Sequence, residues 1–118
     1  MVERRRTDDE ALSATFRALS DPSRRRIIEL LRESDELRVS DIADAFAMSL
    51  NGVSKHLKVL EKAGLVRRRV EGRTHWLRVD WAALQQPYEW LHFYRHFWGG
   101  RLDALVDYVS NTKRDDEP

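Results

Sequence analysis

Apolar residues recur with a helical period over most of this chain and with a strand period over one short stretch in its second half. From Glu10 to Leu19, Leu12, Phe16 and Leu19 stand at i, i+4 and i+7, the spacing of a helix with one buried face. Asp21-Pro22 opens a second helix, because Asp is a favoured N-cap and Pro at the first helical position loses no hydrogen bond it would have made. Ile27, Ile28, Leu30 and Leu31 give that helix a broad apolar side, and the polar run Glu33 to Glu36 ends it. Ser40 is expected to cap a brief third helix with Ile42 and Phe46 turned inward. Ala47, Met48 and Ser49 make a turn, and Ser49 caps a fourth helix whose inward positions are Val53, Leu57 and Leu60. Met48 before the cap and Val53 after it are placed to form a hydrophobic staple, and Gly64-Leu65 stops the helix. The period then becomes two: Leu65 to Glu71 and Arg73 to Val79 read as strands joined at Glu71-Gly72, a hairpin. Beyond Pro87, Trp90, Phe93 and Phe97 fall at i, i+3, i+7, and Leu102, Leu105, Val106 and Val109 continue the stripe, widened by Tyr94 and Trp98. Gly99 and Gly100 interrupt it at about 1 kcal/mol each relative to alanine. The expected fold is mainly α with a small β-hairpin, in the order ααααββα.

Length and composition narrow the class. With 118 residues the chain makes one domain, expected over 9–110 between charged, disordered tails at 1–8 and 111–118. It has no cysteine, which excludes disulfides, thiolate metal ligands and cysteine nucleophiles. No apolar run is long enough to span a bilayer and the start lacks a signal-peptide core, so a cytoplasmic protein without membrane contact is expected. Nor does any Ser/His/Asp set, paired-carboxylate arrangement or phosphate loop appear, so an enzyme is not expected, nor a cofactor.

Formal net charge is only +1, but it is unevenly spread. Between Ser49 and Asp80 eight cations face three carboxylates, a net of +5, which leaves −4 for the rest. A basic stripe on a mildly acidic body directs one face toward phosphate. The fourth helix uses its core-facing positions on Val53, Leu57 and Leu60, so Leu50, Asn51, Ser54, Lys55 and Lys58 point elsewhere. They suit a helix entering the major groove by its N-terminus: Asn reads adenine, Lys and Ser bond guanine edges or phosphates, and Leu touches a thymine methyl. A ribbon after such a helix is a wing. Arg73 at its tip is placed for a minor groove, and Arg67, Arg68 and Arg69 for the DNA backbone or for a solubilising strand edge. Double-stranded DNA is the expected partner.

A-L-S-D-P-S-R-R-R-I-I-E-L-L (18–31), V-S-K-H-L-K-V-L-E-K-A-G-L-V (53–66) and E-G-R (71–73) together resemble the arsenic-repressor (ArsR/SmtB) family of bacterial winged-helix regulators, over about residues 10–109. The resemblance implies a winged helix-turn-helix repressor that dimerises through its first and last helices on a near-palindromic operator. Carried onto this chain, it implies recognition positions at Ser49, Leu50, Asn51, Ser54, Lys55 and His56 and a wing position at Arg73. Asn51-Gly52 departs from the Pro or Ala-like residues frequent there. Where many relatives carry a metal-binding cysteine pair, this chain has Arg38 and Ser40, and the long His-to-His spacing of zinc-binding relatives reaches Asp103 from His92. The resemblance therefore implies a cysteine-free member whose inducer is unknown.

The last helix carries the remaining alternatives. Its apolar stripe exceeds what one small body covers, which makes Trp90, Phe93, Phe97, Leu102, Leu105 and Val109, with Leu12 and Phe16 of the first helix, the candidate homodimer interface. The same aromatics would otherwise line a ligand pocket. Glu89, His92 and His96 share a helix face and form a candidate metal site, although such residues on a helix are usually only solvated. A sensor with a site on the last helix and a winged-helix protein-interaction module are the alternatives to a repressor.

Overall fold

Capping chemistry explains where most elements in the computed structural model begin and end. The structure describes the backbone from Val2 to Asp116 and the side chains of residues 8–95, 100–101 and 103–111. Apart from Asp8 and Asn111, the tails expected at 1–8 and 111–118 fall outside those side chains, as do Phe97, Leu102 and His96. Helix α1 (Val2–Leu19) is followed by α2 (Pro22–Glu33), β1 (Leu37–Arg38), α3 (Val39–Phe46) and α4 (Leu50–Lys62), then β2 (Val66–Glu71), β3 (Thr74–Val79), a 3₁₀ turn (Trp81–Leu84) and α5 (Gln85–Asp116). They form two units, residues 1–87 and 88–118.

In the first unit, Asp21 caps α2 as expected, its Oδ1 accepting from the amides of Ser23 at 2.8 Å and Arg24 at 3.2 Å. The arginines after it close the preceding helix: Arg24 donates to the carbonyls of Ala18 and Arg17, and Arg25 to that of Leu19. These are the last-turn carbonyls of α1, which have no partner within the helix. The D-P-S-R-R-R motif is thus a joint between two helices.

The expected cap at Ser40 moves two residues upstream. Arg38 is the N-cap residue of α3, and the carboxylate of Asp41 accepts its backbone N–H at 3.0 Å and its guanidinium at 3.0 and 3.1 Å. An ionised Asp one turn in is a better acceptor than a serine hydroxyl, and it also favours the positive end of the helix. The turn after α3 places Ala47 in the left-handed region at φ 52°, with Met48 N–H donating to the carbonyl of Ala43 at 3.1 Å. Ser49 caps α4 as expected, its Oγ accepting from the Gly52 amide at 3.0 Å.

Ile27 and Leu31 of α2, Ile42 of α3, Val53, Leu57 and Leu60 of α4, and Leu65, Leu77 and Val79 around the strands form one core. Helix α1 meets it with Leu19 of the expected face and with the residues beside that face. Thr15 and Ala18 are buried, whereas Leu12 is half-buried and Phe16 is 37% exposed. Thr15 tolerates burial because its hydroxyl donates to the carbonyl of Ala11 at 3.1 Å.

The expected hairpin is present and gains a third strand. The sheet is antiparallel in the order β1-β3-β2, with Leu37 opposite Leu77 and Arg38 opposite Trp76. Between β2 and β3 the register runs from Val66↔Val79 to Glu71↔Thr74, so the loop is Gly72-Arg73, one residue later than expected. Gly72 at φ 62° supplies the positive φ that a two-residue hairpin loop requires.

The second unit is the greater part of α5. Along it Trp90, Phe93, Tyr94, Leu105, Val106 and Val109 are exposed, and the Trp90 and Tyr94 rings meet tilted at 49°, with centroids 4.5 Å apart.

Candidate nucleic-acid interface

Three elements of the first unit converge on one surface: the N-terminus of α3, the N-terminal half of α4 and the tip of the β2–β3 wing. The burial of Val53, Leu57 and Leu60 sets the rotation of α4. Leu50 is consequently 58% exposed, Ser49, Asn51, Lys55 and Lys58 are exposed, and Ser54 is half-buried. His56 lies apart from this group. It is half-buried on the flank toward α2, near enough to act through space on Asp21. Desolvation pushes the Asp21 carboxyl up, but the Arg24 and Ser23 amides, with the charges of His56 and Arg24, hold it below the ordinary aspartate value.

The arginine run on β2 is engaged within the protein. Arg67 donates to Asp80 at 2.7 Å, and Arg68 to Glu61 at 2.6 Å, with a further contact to His75 Nδ1 at 3.0 Å. Arg69 bridges Glu36 at 2.6 Å and Glu71 at 2.8 Å. The hydrogen bond from Arg69, opposed by desolvation, depresses the Glu36 pKa; that from Arg67 does the same to Asp80. Thus Arg68 ties β2 to α4, and Arg69 ties it to the α2–β1 connection. Among the described residues Lys55, Lys58 and Arg73 form no ion pair, so their charges are available to a ligand.

Trp76, to which no role attaches in the sequence, sits at the centre of the wing's ties. The guanidinium of Arg38 lies 5.9 Å and that of Arg69 5.6 Å from its ring centroid. Two cations over one indole join β1, β2 and β3 on one face. The pairing of Arg38 with Trp76 is the signal, but it depends on a two-residue strand that no periodicity reveals.

The three elements enclose an open cleft of about 390 Å³, lined by Arg38 and Ser40 of α3's start, Leu50 and Ser54 of α4, and the wing from Arg73 to His75. Among the described residues no group of three or more His, Asp or Glu side chains gathers where a metal ion would sit. The third member of the Glu89, His92, His96 set lies outside those residues.

A helix-turn-helix whose second helix projects polar and cationic residues beside a basic wing defines a winged-helix regulator of transcription. Comparison with known proteins agrees. Residues 19–69 match the family described as a helix-turn-helix domain. Over 80 residues the chain is 31% identical to the transcriptional repressor SdpR of Bacillus subtilis (strain 168), covering 68% of this chain and 88% of that one. The crystal structure of an ArsR family transcriptional regulator superposes with a TM-score of 0.70 at 30% identity, over 77% of this chain and 93% of that one. The homodimeric winged helix-turn-helix DNA-binding domain of a possible ArsR-family regulator from Mycobacterium bovis, solved by NMR, gives 0.64 at 26% identity over 81% and 90%. The chain belongs to the ArsR family of winged helix-turn-helix transcriptional regulators. Among the described residues no helix is long and apolar enough to cross a membrane.

Proposed function

We propose that this protein is a homodimeric repressor, acting in the cytoplasm, that occludes a promoter by binding a near-palindromic operator. The observation that carries the reading is the pairing of an exposed α4 face, with Asn51, Lys55 and Lys58, and an uncommitted Arg73 at the wing tip. In this reading α4 enters the major groove. There Leu50 and Asn51 meet base edges, and Ser49, Ser54, Lys55 and Lys58 hold phosphates. Arg73 meets the backbone at the mouth of the adjacent minor groove. Two copies pair through α1 and α5, so their α4 helices address half-sites about one helical turn apart. With no cysteine in the sequence, this reading assigns the switch to something other than a thiolate-bound metal.

Enrichment of duplexes from a randomised pool with purified protein tests this reading. The expected product is an inverted repeat bound by two protomers, and Asn51→Ala should relax the preference at one position per half-site. Failure to enrich any duplex, or equal binding of all duplexes, would refute it.

A further inference from the structure

The sequence places the DNA backbone on Arg67 to Arg69, yet the structure commits those guanidiniums to Asp80, Glu61 and Glu36. The open cleft on the α3 and α4 side of the wing has the opposite character. Its lining includes three guanidiniums, three hydroxyls and one imidazole, and no carboxylate. Arg38 and Arg68 are balanced by Asp41 and Glu61 just outside it, which leaves Arg73 as its uncompensated charge. The first turn of α3 leaves the amide of Ser40 without an intrahelical acceptor at the same wall. His75 takes a hydrogen from Arg68 on Nδ1, so Nε2 is the ring's donor.

We propose that this cleft seats a backbone phosphodiester of the bound duplex, held by Ser40, Ser54, Thr74 and Arg73. The inference rests on the DNA-binding reading and adds Ser40 and Thr74, from outside α4 and the arginine run, to the contact surface. At about 390 Å³ the space admits roughly a dozen waters' worth of ligand, enough for a phosphodiester with part of its hydration. Hydroxyls, a helix-start amide and a single cation form a common donor set for phosphate in protein–DNA contacts. The cleft opens to solvent between the exposed start of α4 and the wing tip. That shape suits a strand passing from major to minor groove rather than an enclosed small anion.

The test measures anisotropy of a labelled duplex enriched by the wild-type protein, over a salt series. Ser40→Ala/Thr74→Ala should weaken binding by about tenfold with the salt slope unchanged, because neutral donors release no counterion. Ser40→Glu should weaken it further by placing a carboxylate against the phosphate, with the thermal midpoint of the free protein as the check on folding. Arg67→Ala should leave affinity and slope near wild type. Wild-type affinity in both Ser40 variants would overturn the proposal while leaving the DNA-binding reading intact; failure to enrich a duplex at all would remove that reading first. A third arm titrates the free protein with inorganic phosphate alone. Saturation of the Ser40 and Thr74 amide shifts below millimolar phosphate would assign the cleft to a small anion and overturn the phosphodiester.

Discussion

At the scale of single residues, what decides a side chain's role is whether the protein has already satisfied it. Arg73 and Lys55 have no carboxylate partner among the described residues, so binding a phosphate costs them no internal ion pair. Arg67 must share or surrender Asp80, 2.7 Å away. We therefore expect Arg73→Ala and Lys55→Ala each to lower the slope of log affinity against log salt by about 0.9 per protomer, and Arg67→Ala to leave it unchanged. Anisotropy over a salt series reads both; a slope unchanged in the first two would show that they touch no phosphate. Ala47 obeys the same logic within the backbone. Its φ of 52° costs an L-residue about 1–2 kcal/mol, whereas glycine bears no such penalty and loses about 0.4–1 kcal/mol through the unfolded chain. Ala47→Gly should thus raise stability by up to about 1.5 kcal/mol in urea unfolding, opposite in sign to Ala→Gly inside a helix. A loss of stability there would mean that the turn is not strained.

At the scale of elements, the wing is held to the body by charge as well as by Leu77 and Val79. Glu36, Asp41 and Asp80 all have carboxyl pKa values below their ordinary ones, chiefly through hydrogen bonds from Arg69, Arg38 and Arg67. A folded pKa below the unfolded one contributes stability above the unfolded value, near pH 4, and that contribution is lost as pH falls through the folded value. The thermal midpoint should therefore drop below about pH 4, and Glu36→Gln/Asp80→Asn should flatten that drop while lowering the midpoint at neutral pH. An identical acid limb in the variant would show that these ties do not hold the wing. These interactions mark the limit of what the sequence discloses. Asp21, Ser49, the core of α4 and the hairpin were legible because each depends on neighbours within a few residues, where capping preferences and periodicity act. The ties from Arg67 to Asp80 and Arg69 to Glu36 span 13 and 33 residues, and pattern alone does not show them. Strand β1 is too short to have a period, so neither the three-stranded sheet nor the Arg38–Trp76 contact could be read. Helix α1 was legible in part: Leu19 of its apolar face packs against the core, but Thr15 and Ala18, small enough for close packing, are the residues buried there.

At the scale of the whole molecule, the apolar surface left on α5 calls for a partner. Trp90, Phe93, Leu105, Val106 and Val109 are each more than two-fifths exposed in the single chain. Exposed apolar stripes of this extent on a regulator point to self-association, and a two-fold pair buries the same face on both copies at once. The consequence for DNA affinity follows from geometry rather than from any new contact. If each α4 reads half of an operator, joining two makes the second engagement intramolecular and can raise affinity by about 10²–10⁴. Phe93→Glu and Val109→Glu put a charge into the middle of such an interface while leaving α4 and the wing untouched. Both variants should elute as monomers in light-scattering chromatography at concentrations where the wild type is a dimer. On a full inverted repeat they should lose affinity by about that factor, and on an isolated half-site they should bind as wild type does. The coupling is reciprocal: if dimerisation strengthens binding, a full-site duplex must strengthen dimerisation by the same free energy. Adding that duplex should therefore restore a two-protomer complex for the weaker of the two variants, whereas a half-site duplex should not. A wild-type monomer that binds full and half sites equally would sink the arrangement and make the α5 stripe a surface for some other protein.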